Sequence, residues 1–86
     1  MFKIFETDEF IDCLSTQKQM NTKLQEYVYP QIKQQPFFGK NIKKLKDYTP
    51  DTWRYRVGDY RFFYTINQKE KIIFMLTIAH RKESYR

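Results

Sequence analysis

Cysteine, glycine and long apolar runs are all scarce in this chain, and each scarcity removes a class of protein. Cys13 is the only cysteine, so no intrachain disulfide and no cysteine zinc cluster can form, which fits a reducing cytosol. With only 2 glycines there is no glycine-rich loop of the kind that cradles phosphates. The longest apolar run, Ile72 to Ala79 with Thr77 inside it, is too short to span a bilayer. The N-terminus meets Glu6, Asp8, Glu9 and Asp12 early, which is unlike a signal peptide. Paired carboxylates at glycosidase spacing, nucleophile motifs, and Asp, Glu and His at metal-ligand spacing are also missing. No metal and no cofactor are expected, and a metal-dependent nuclease is disfavoured.

What is present is a single folded domain. Residues 1–86 are enough for one core and too few for two, and an aromatic content of 19% is that of a folded chain rather than a disordered one. The net charge of +6 is unevenly placed. Residues 1–39 carry four lysines against five acids, and residues 40–86 carry twelve Lys and Arg against five acids, so the basic surplus lies wholly in the second half. Such asymmetry points to a polyanion or an acidic protein as partner, with a basic, solvated surface as the alternative.

The chain is organised around Trp53-Arg-Tyr-Arg-Val-Gly-Asp-Tyr-Arg-Phe-Phe-Tyr-Thr-Ile66. Gly58-Asp59 separates two runs of β-branched and aromatic residues, and glycine in first place suits a two-residue type II′ turn. That turn sets Val57 opposite Tyr60, and then pairs Arg56 with Arg61, Tyr55 with Phe62, Arg54 with Phe63 and Trp53 with Tyr64. Opposed residues share a face. One face therefore carries Trp53, Tyr55, Val57, Tyr60, Phe62, Tyr64 and Ile66 and must be covered. The other carries Arg54, Arg56 and Arg61. Like charges opposed across a ladder are unfavourable alone, so this face makes sense if it meets an anion, and phosphate suits the guanidinium fork.

Around the hairpin, Phe2 to Phe5 reads as a short strand, followed at once by a helix capped by Thr7 or Asp8. Phe10, Cys13, Leu14 and Gln17 share a face of that helix, which should end near Gln19. A second helical period runs through Met20, Leu24, Val28 and Ile32, with Asn21 or Thr22 as a cap, and Pro30 should kink or interrupt it. Pro36 closes the helical region. Lys40 to Lys46 places lysines at 40, 43, 44 and 46 and reads as a solvated loop whose neighbourhood to the arginine hairpin gives it a binding share. Tyr48-Thr-Pro-Asp51 and Asn67 to Lys71 are turns.

Ile72 to Ala79 is apolar on both parities, as a central, doubly covered strand should be. An odd-length loop before it puts Phe74, Leu76 and Ile78 on the aromatic face and leaves Thr77, Ala79 and Arg81 beside Arg61. An even-length loop reverses this. The first is expected, because it groups large apolar residues together. The architecture is then α+β, a small antiparallel sheet with two N-terminal helices packed on one face and a basic surface on the other.

Trp53-Arg-Tyr-Arg-Val-Gly-Asp-Tyr-Arg, Phe63-Tyr64 and Ile78-Ala-His-Arg-Lys-Glu-Ser-Tyr85, preceded by a lysine-rich segment and two helices, resemble the RelE/ParE toxin superfamily, specifically its RelE-like ribonuclease branch. The resemblance implies the same small sheet against N-terminal helices. It also implies a toxin of a type II toxin–antitoxin module that cleaves mRNA in the ribosomal A site and is held inactive by a cognate antitoxin, in the cytoplasm, with no membrane partner. It places the family's paired basic residues on Arg54 and Arg56, its arginine after the turn on Arg61, and its C-terminal arginine and tyrosine on Arg81 and Tyr85. Lys43, Lys44 and Lys46 join Arg54 and Arg56 as phosphate-binding candidates.

In the family the paired positions are often lysines. An arginine does not readily give up its proton, so the general base or acid becomes His80, with Arg61, Arg81 and Tyr85 as its catalytic companions. On a regular strand His80 and Arg81 point to opposite faces, and the other reading of His80 is that it caps the aromatic face. The sequence stops at Arg86, so the extra C-terminal helix of some members is not expected. The mechanism implied is metal-free attack of the substrate's 2′-hydroxyl on the adjacent phosphate, with Tyr85 stacking on a base. The competing functions are a ParE-like DNA gyrase inhibitor of the same fold and a non-catalytic RNA-binding module.

Overall fold

The computed structural model describes residues 1–80. Five strands form one sheet in the order β1-β5-β4-β3-β2, where β1 is Lys3–Glu6, β2 Ile42–Lys44, β3 Thr52–Val57, β4 Tyr60–Asn67 and β5 Ile72–His80. Helices occupy the chain between β1 and β2. The α+β architecture is as expected, with one departure: β1 pairs with β5 in parallel, while the other three pairings are antiparallel. The chain between β1 and β5 runs through the helices and the other three strands, long enough for a parallel return that a hairpin cannot make.

The hairpin has the expected register, from Val57↔Tyr60 through Arg56↔Arg61 to Trp53↔Tyr64. Gly58 has φ +58° and Asp59 is not among the residues with positive φ, the pattern of a type II′ turn. Trp53, Tyr55, Phe62 and Tyr64 are buried on one face, against Phe10, Leu24, Val28 and Ile32 of the helices. Fully buried, Tyr64 still satisfies its hydroxyl, which donates to the Pro36 carbonyl at 2.7 Å.

Helix α1 (Asp8–Ser15) is capped by Thr7, and it ends short of Gln19. The Ser15 and Thr16 hydroxyls donate to the carbonyls of Asp12 and Cys13, and the backbone tightens to bonds spanning three residues, Gln17 N–H to Leu14 O and Met20 N–H to Gln17 O. The Met20 bond, and that of Asn21 N–H to Lys18 O, occupy the first amides of the next helix. Its cap is Gln19, with no side-chain bond, rather than Asn21 or Thr22.

That helix runs through α2 (Met20–Lys23), a π-helical turn (Leu24–Val28) and α3 (Tyr29–Gln34). Proline does interrupt the α-helical ladder, as a π turn. Pro30 has no N–H to give, and Tyr29 N–H bonds back five residues to Leu24 O. Apolar residues spaced by four drift about 40° per step on an α-helix. The wider π turn takes up part of that drift, and Met20, Leu24, Val28 and Ile32 are all buried in one core.

Two expectations about the sheet need correction. Lys40 to Lys46 is not simply a loop: Ile42–Lys44 is an edge strand, with Arg56 N–H bonding Asn41 O at 3.0 Å and Leu45 N–H bonding Thr52 O at 2.8 Å. Ile42 packs on the core while the charged neighbours blunt the edge. The register of β5 is neither of the two single registers. Tyr64 pairs with Met75 and Phe63 with Thr77, so Leu76 is an extra residue in a β-bulge. Ile78 reaches the aromatic face as expected. Before the bulge the parity is reversed: Ile73 and Met75 enter the core, and Phe74, opposite Thr65, faces the other way.

Candidate functional site

The hairpin turn decides which side chains gather on the sheet face away from the helices. Arg56 and Arg61 are directly opposed, and Arg54 lies two residues before Arg56 on the same strand face. Lys43 is opposite Arg54 on β2, so the edge strand adds a fourth cation to the patch. Ala79, opposite Arg61, keeps that end of the face low. Asn41 ties the edge together, its carbonyl accepting from the Arg56 backbone and from Arg54 Nη1 at 3.2 Å. Arg56 Nε donates to the Gly58 carbonyl at 3.1 Å, which fixes that guanidinium against the turn.

The electrostatics of the patch are those of like charges held close together. Partial burial, and then the like charges of Arg61 and Arg56, lower the pKa of the Arg54 guanidinium. Desolvation and repulsion both disfavour its charged form in the free protein. A negative charge on this face would offset the repulsion and compensate the lost hydration.

Not every residue expected at the site is brought to it. Lys44 is opposite Trp53 and belongs to the other face: its Nζ sits 5.7 Å from the Trp53 ring centroid and 3.3 Å from an Asp51 carboxylate oxygen. Lys46 is exposed beyond β2, beside Asp47 and Tyr48. His80 pairs with Tyr60 and meets its ring edge to face, with centroids 4.8 Å apart. The histidine thus lies on the aromatic face of the sheet, and Arg61 lies on the other face. Arg81 and Tyr85 lie outside the described residues.

The sequence reading missed one feature of this face. Tyr48, Thr52, Phe63, Leu76 and Thr77 line a cleft of about 220 Å³, beside Arg54. Its only signal in the sequence was the pairing of Arg54 with Phe63, which placed an aromatic ring on the arginine side. Among the described residues no group of three or more His, Cys, Asp and Glu could hold a metal ion, and no helix is long and apolar enough to cross a membrane.

A family model described as the ParE toxin of type II toxin–antitoxin systems, parDE, matches residues 3–85. No curated protein matches the chain by sequence. Among solved structures, the RelBE2 toxin–antitoxin complex of Mycobacterium tuberculosis contains a chain of similar fold, with a TM-score of 0.78 at 20% identity over 93% of this chain and 98% of that one. The YoeB/ParE toxin of Agrobacterium tumefaciens gives 0.75 at 17% identity over 92% and 98%. The intact RelBE toxin–antitoxin complex of E. coli gives 0.67 at 15% over 93% and 96%.

Proposed function

This chain belongs to the ParE toxin family of type II toxin–antitoxin systems, within the RelE/ParE superfamily, and from that premise we propose that it is an endoribonuclease that cleaves mRNA in the ribosomal A site. The observation that carries this reading is the arginine face: Arg56 opposed to Arg61, with Arg54 partly buried among them. A guanidinium cluster that repels itself in the free protein is suited to a phosphate in flight between two oxygens. Gyrase inhibition on the same fold is the competing reading, and in our proposal the arginine cluster is what favours RNA over it.

In the proposed reaction the 2′-oxygen of one nucleotide forms a bond to the adjacent phosphorus, and the bond from phosphorus to the 5′-oxygen of the next nucleotide breaks. The products are a 2′,3′-cyclic phosphate and a free 5′-hydroxyl, and the proton lost by the first oxygen is balanced by the one gained by the second. Arg61, with Arg54, Arg56 and Lys43 beside it, stabilises the charge that grows on the phosphate oxygens. Arg81 and Tyr85 complete this set in our proposal, as a further guanidinium and a base-stacking ring. His80, packed on Tyr60, reaches the phosphate only by passing round the sheet's end, so electrostatic stabilisation is assigned the larger share of catalysis.

A cognate antitoxin is the proposed protein partner, as in the toxin–antitoxin complexes of similar fold. The deciding experiment is induction of the chain in cells. Primer extension should show new cuts within translated codons; intact transcripts together with blocked DNA supercoiling would support gyrase inhibition instead.

A further inference from the structure

The open face of the sheet is not uniformly basic. Next to the arginines it carries the cleft formed by Tyr48, Thr52, Phe63, Leu76 and Thr77, and three observations say what fits there. The first is position. Phe63 is directly opposite Arg54, and Thr52 is two residues from it on the same strand face, so the cleft begins within one side chain of the cationic patch. Its occupant is therefore an apolar group attached to an anion.

The second observation is size and lining. At about 220 Å³ the cleft falls below the roughly 300–1,000 Å³ of pockets that enclose a drug-sized molecule. It takes one flat ring system and leaves the rest of the ligand outside. Two of its walls are aromatic, and Tyr48 is 55% exposed, a platform open to a stacking partner.

The third is the bulge. Met75 faces the core, so alternation puts Leu76 on the open face, and the extra residue keeps Thr77, opposite Phe63, on that face as well, so that both line the cleft. The bulge is held from outside the sheet, because the Thr7 hydroxyl donates to the Met75 carbonyl at 2.7 Å, with the Leu76 carbonyl 3.2 Å away. Bulges beside functional sites commonly re-aim a side chain in this way.

We propose that this cleft holds one unstacked nucleobase of the RNA strand whose phosphate lies on Arg54 and its neighbours, making Tyr48, Phe63 and Leu76 a base subsite. The proposal rests on the RNA reading above. A nucleotide has the required form: a flat heterocycle one sugar away from a phosphate.

The test uses the full chain and a fluorescent 2′-O-methyl RNA tetranucleotide, which has no free 2′-hydroxyl and is not cleaved, with binding followed by anisotropy at low salt. A series of the same oligonucleotide with an abasic sugar at each position in turn is measured beside it. One abasic position should weaken binding roughly tenfold, the value of one stacked base. Tyr48→Ala, which removes an exposed ring and spares the core, should bind the intact oligonucleotide about as weakly as the parent binds that abasic one. Arg54→Gln should weaken every oligonucleotide alike. Equal affinity across the abasic series, or a Tyr48→Ala variant that keeps the full dependence on the base, overturns the subsite and leaves the phosphate site standing. If no oligonucleotide binds at all, the RNA reading falls and the subsite falls with it.

Discussion

Arg56 and Arg61 lie directly opposite each other across the β3–β4 ladder, on the sheet face away from the helices. With Arg54 beside them and its charged form disfavoured by burial and by both neighbours, the free protein carries a repulsion that an anion placed there would relieve. Polyanions should therefore stabilise the fold, since whatever binds only the native state raises its stability. Thermal unfolding of the parent should shift upward with added phosphate or a short RNA and less so as salt is raised. Arg54→Gln should unfold no earlier than the parent without ligand and should lose most of the shift.

Arg61→Ala should lower cleavage on ribosomes by on the order of 10²-fold or more, the usual cost of removing one preorganised stabiliser of transition-state charge. Its unfolding temperature should change little. The same is expected of Arg81→Ala. If both variants stayed as toxic as the parent, the phosphate site would be misplaced.

For His80 the packing on Tyr60 leads to a definite expectation. His80→Gln should keep the parent's single-turnover pH profile and most of its rate, while losing roughly 0.5–1.5 kcal/mol of ring packing. A rate in the parent that climbs between about pH 5 and 8, flattened in the variant and lowered roughly 10²- to 10⁴-fold, would instead make His80 the general base.

Burial raises the pKa of both Tyr29 and Tyr64, aided in Tyr29 by the hydrogen bond its hydroxyl donates to Glu6 at 2.5 Å. A phenol whose folded-state pKa is raised stays protonated in the native state after its unfolded counterpart has ionised. The native state then binds more protons than the unfolded one, so stability is fully present below the ordinary tyrosine pKa of about 10 and falls as pH rises above it. Denaturation midpoints measured from pH 8 to 11 should show this alkaline fall. Tyr64→Phe should reduce its slope while costing about 1 kcal/mol at neutral pH, from the bond lost to Pro36.

Thr7 links two distant features, since its hydroxyl accepts from the Phe10 N–H to cap α1 and donates to Met75 at the bulge. Thr7→Val should cost about 1–2 kcal/mol by urea denaturation, and Thr7→Ser should recover most of it. A Thr7→Val variant with unchanged stability would show that the hydroxyl contributes neither cap nor anchor.

Sequence and tertiary structure divided the work along a physical line. Where a few neighbouring residues settle the geometry, the sequence was sufficient. Gly58-Asp59 chose a turn, the turn chose a register, and the register put Arg54, Arg56 and Arg61 on one face; Thr7 and Asp8 marked where a helix is capped, and Thr7 is the cap. Where the outcome depends on what lies on the far side of an element, it was not. Ile72 to Ala79 is apolar on both parities, so its own residues could not say which would enter the core. That was decided by β1 pairing on its outer edge, by Thr7 holding Met75, and by the bulge that lets Met75 and Ile78 both face the helices although two residues, an even number, lie between them. The partition of the lysines follows the same rule: Lys43 joins the arginines and Lys44 leaves them because Ile42–Lys44 pairs with β3, a contact between segments that no local pattern in the charged run encodes.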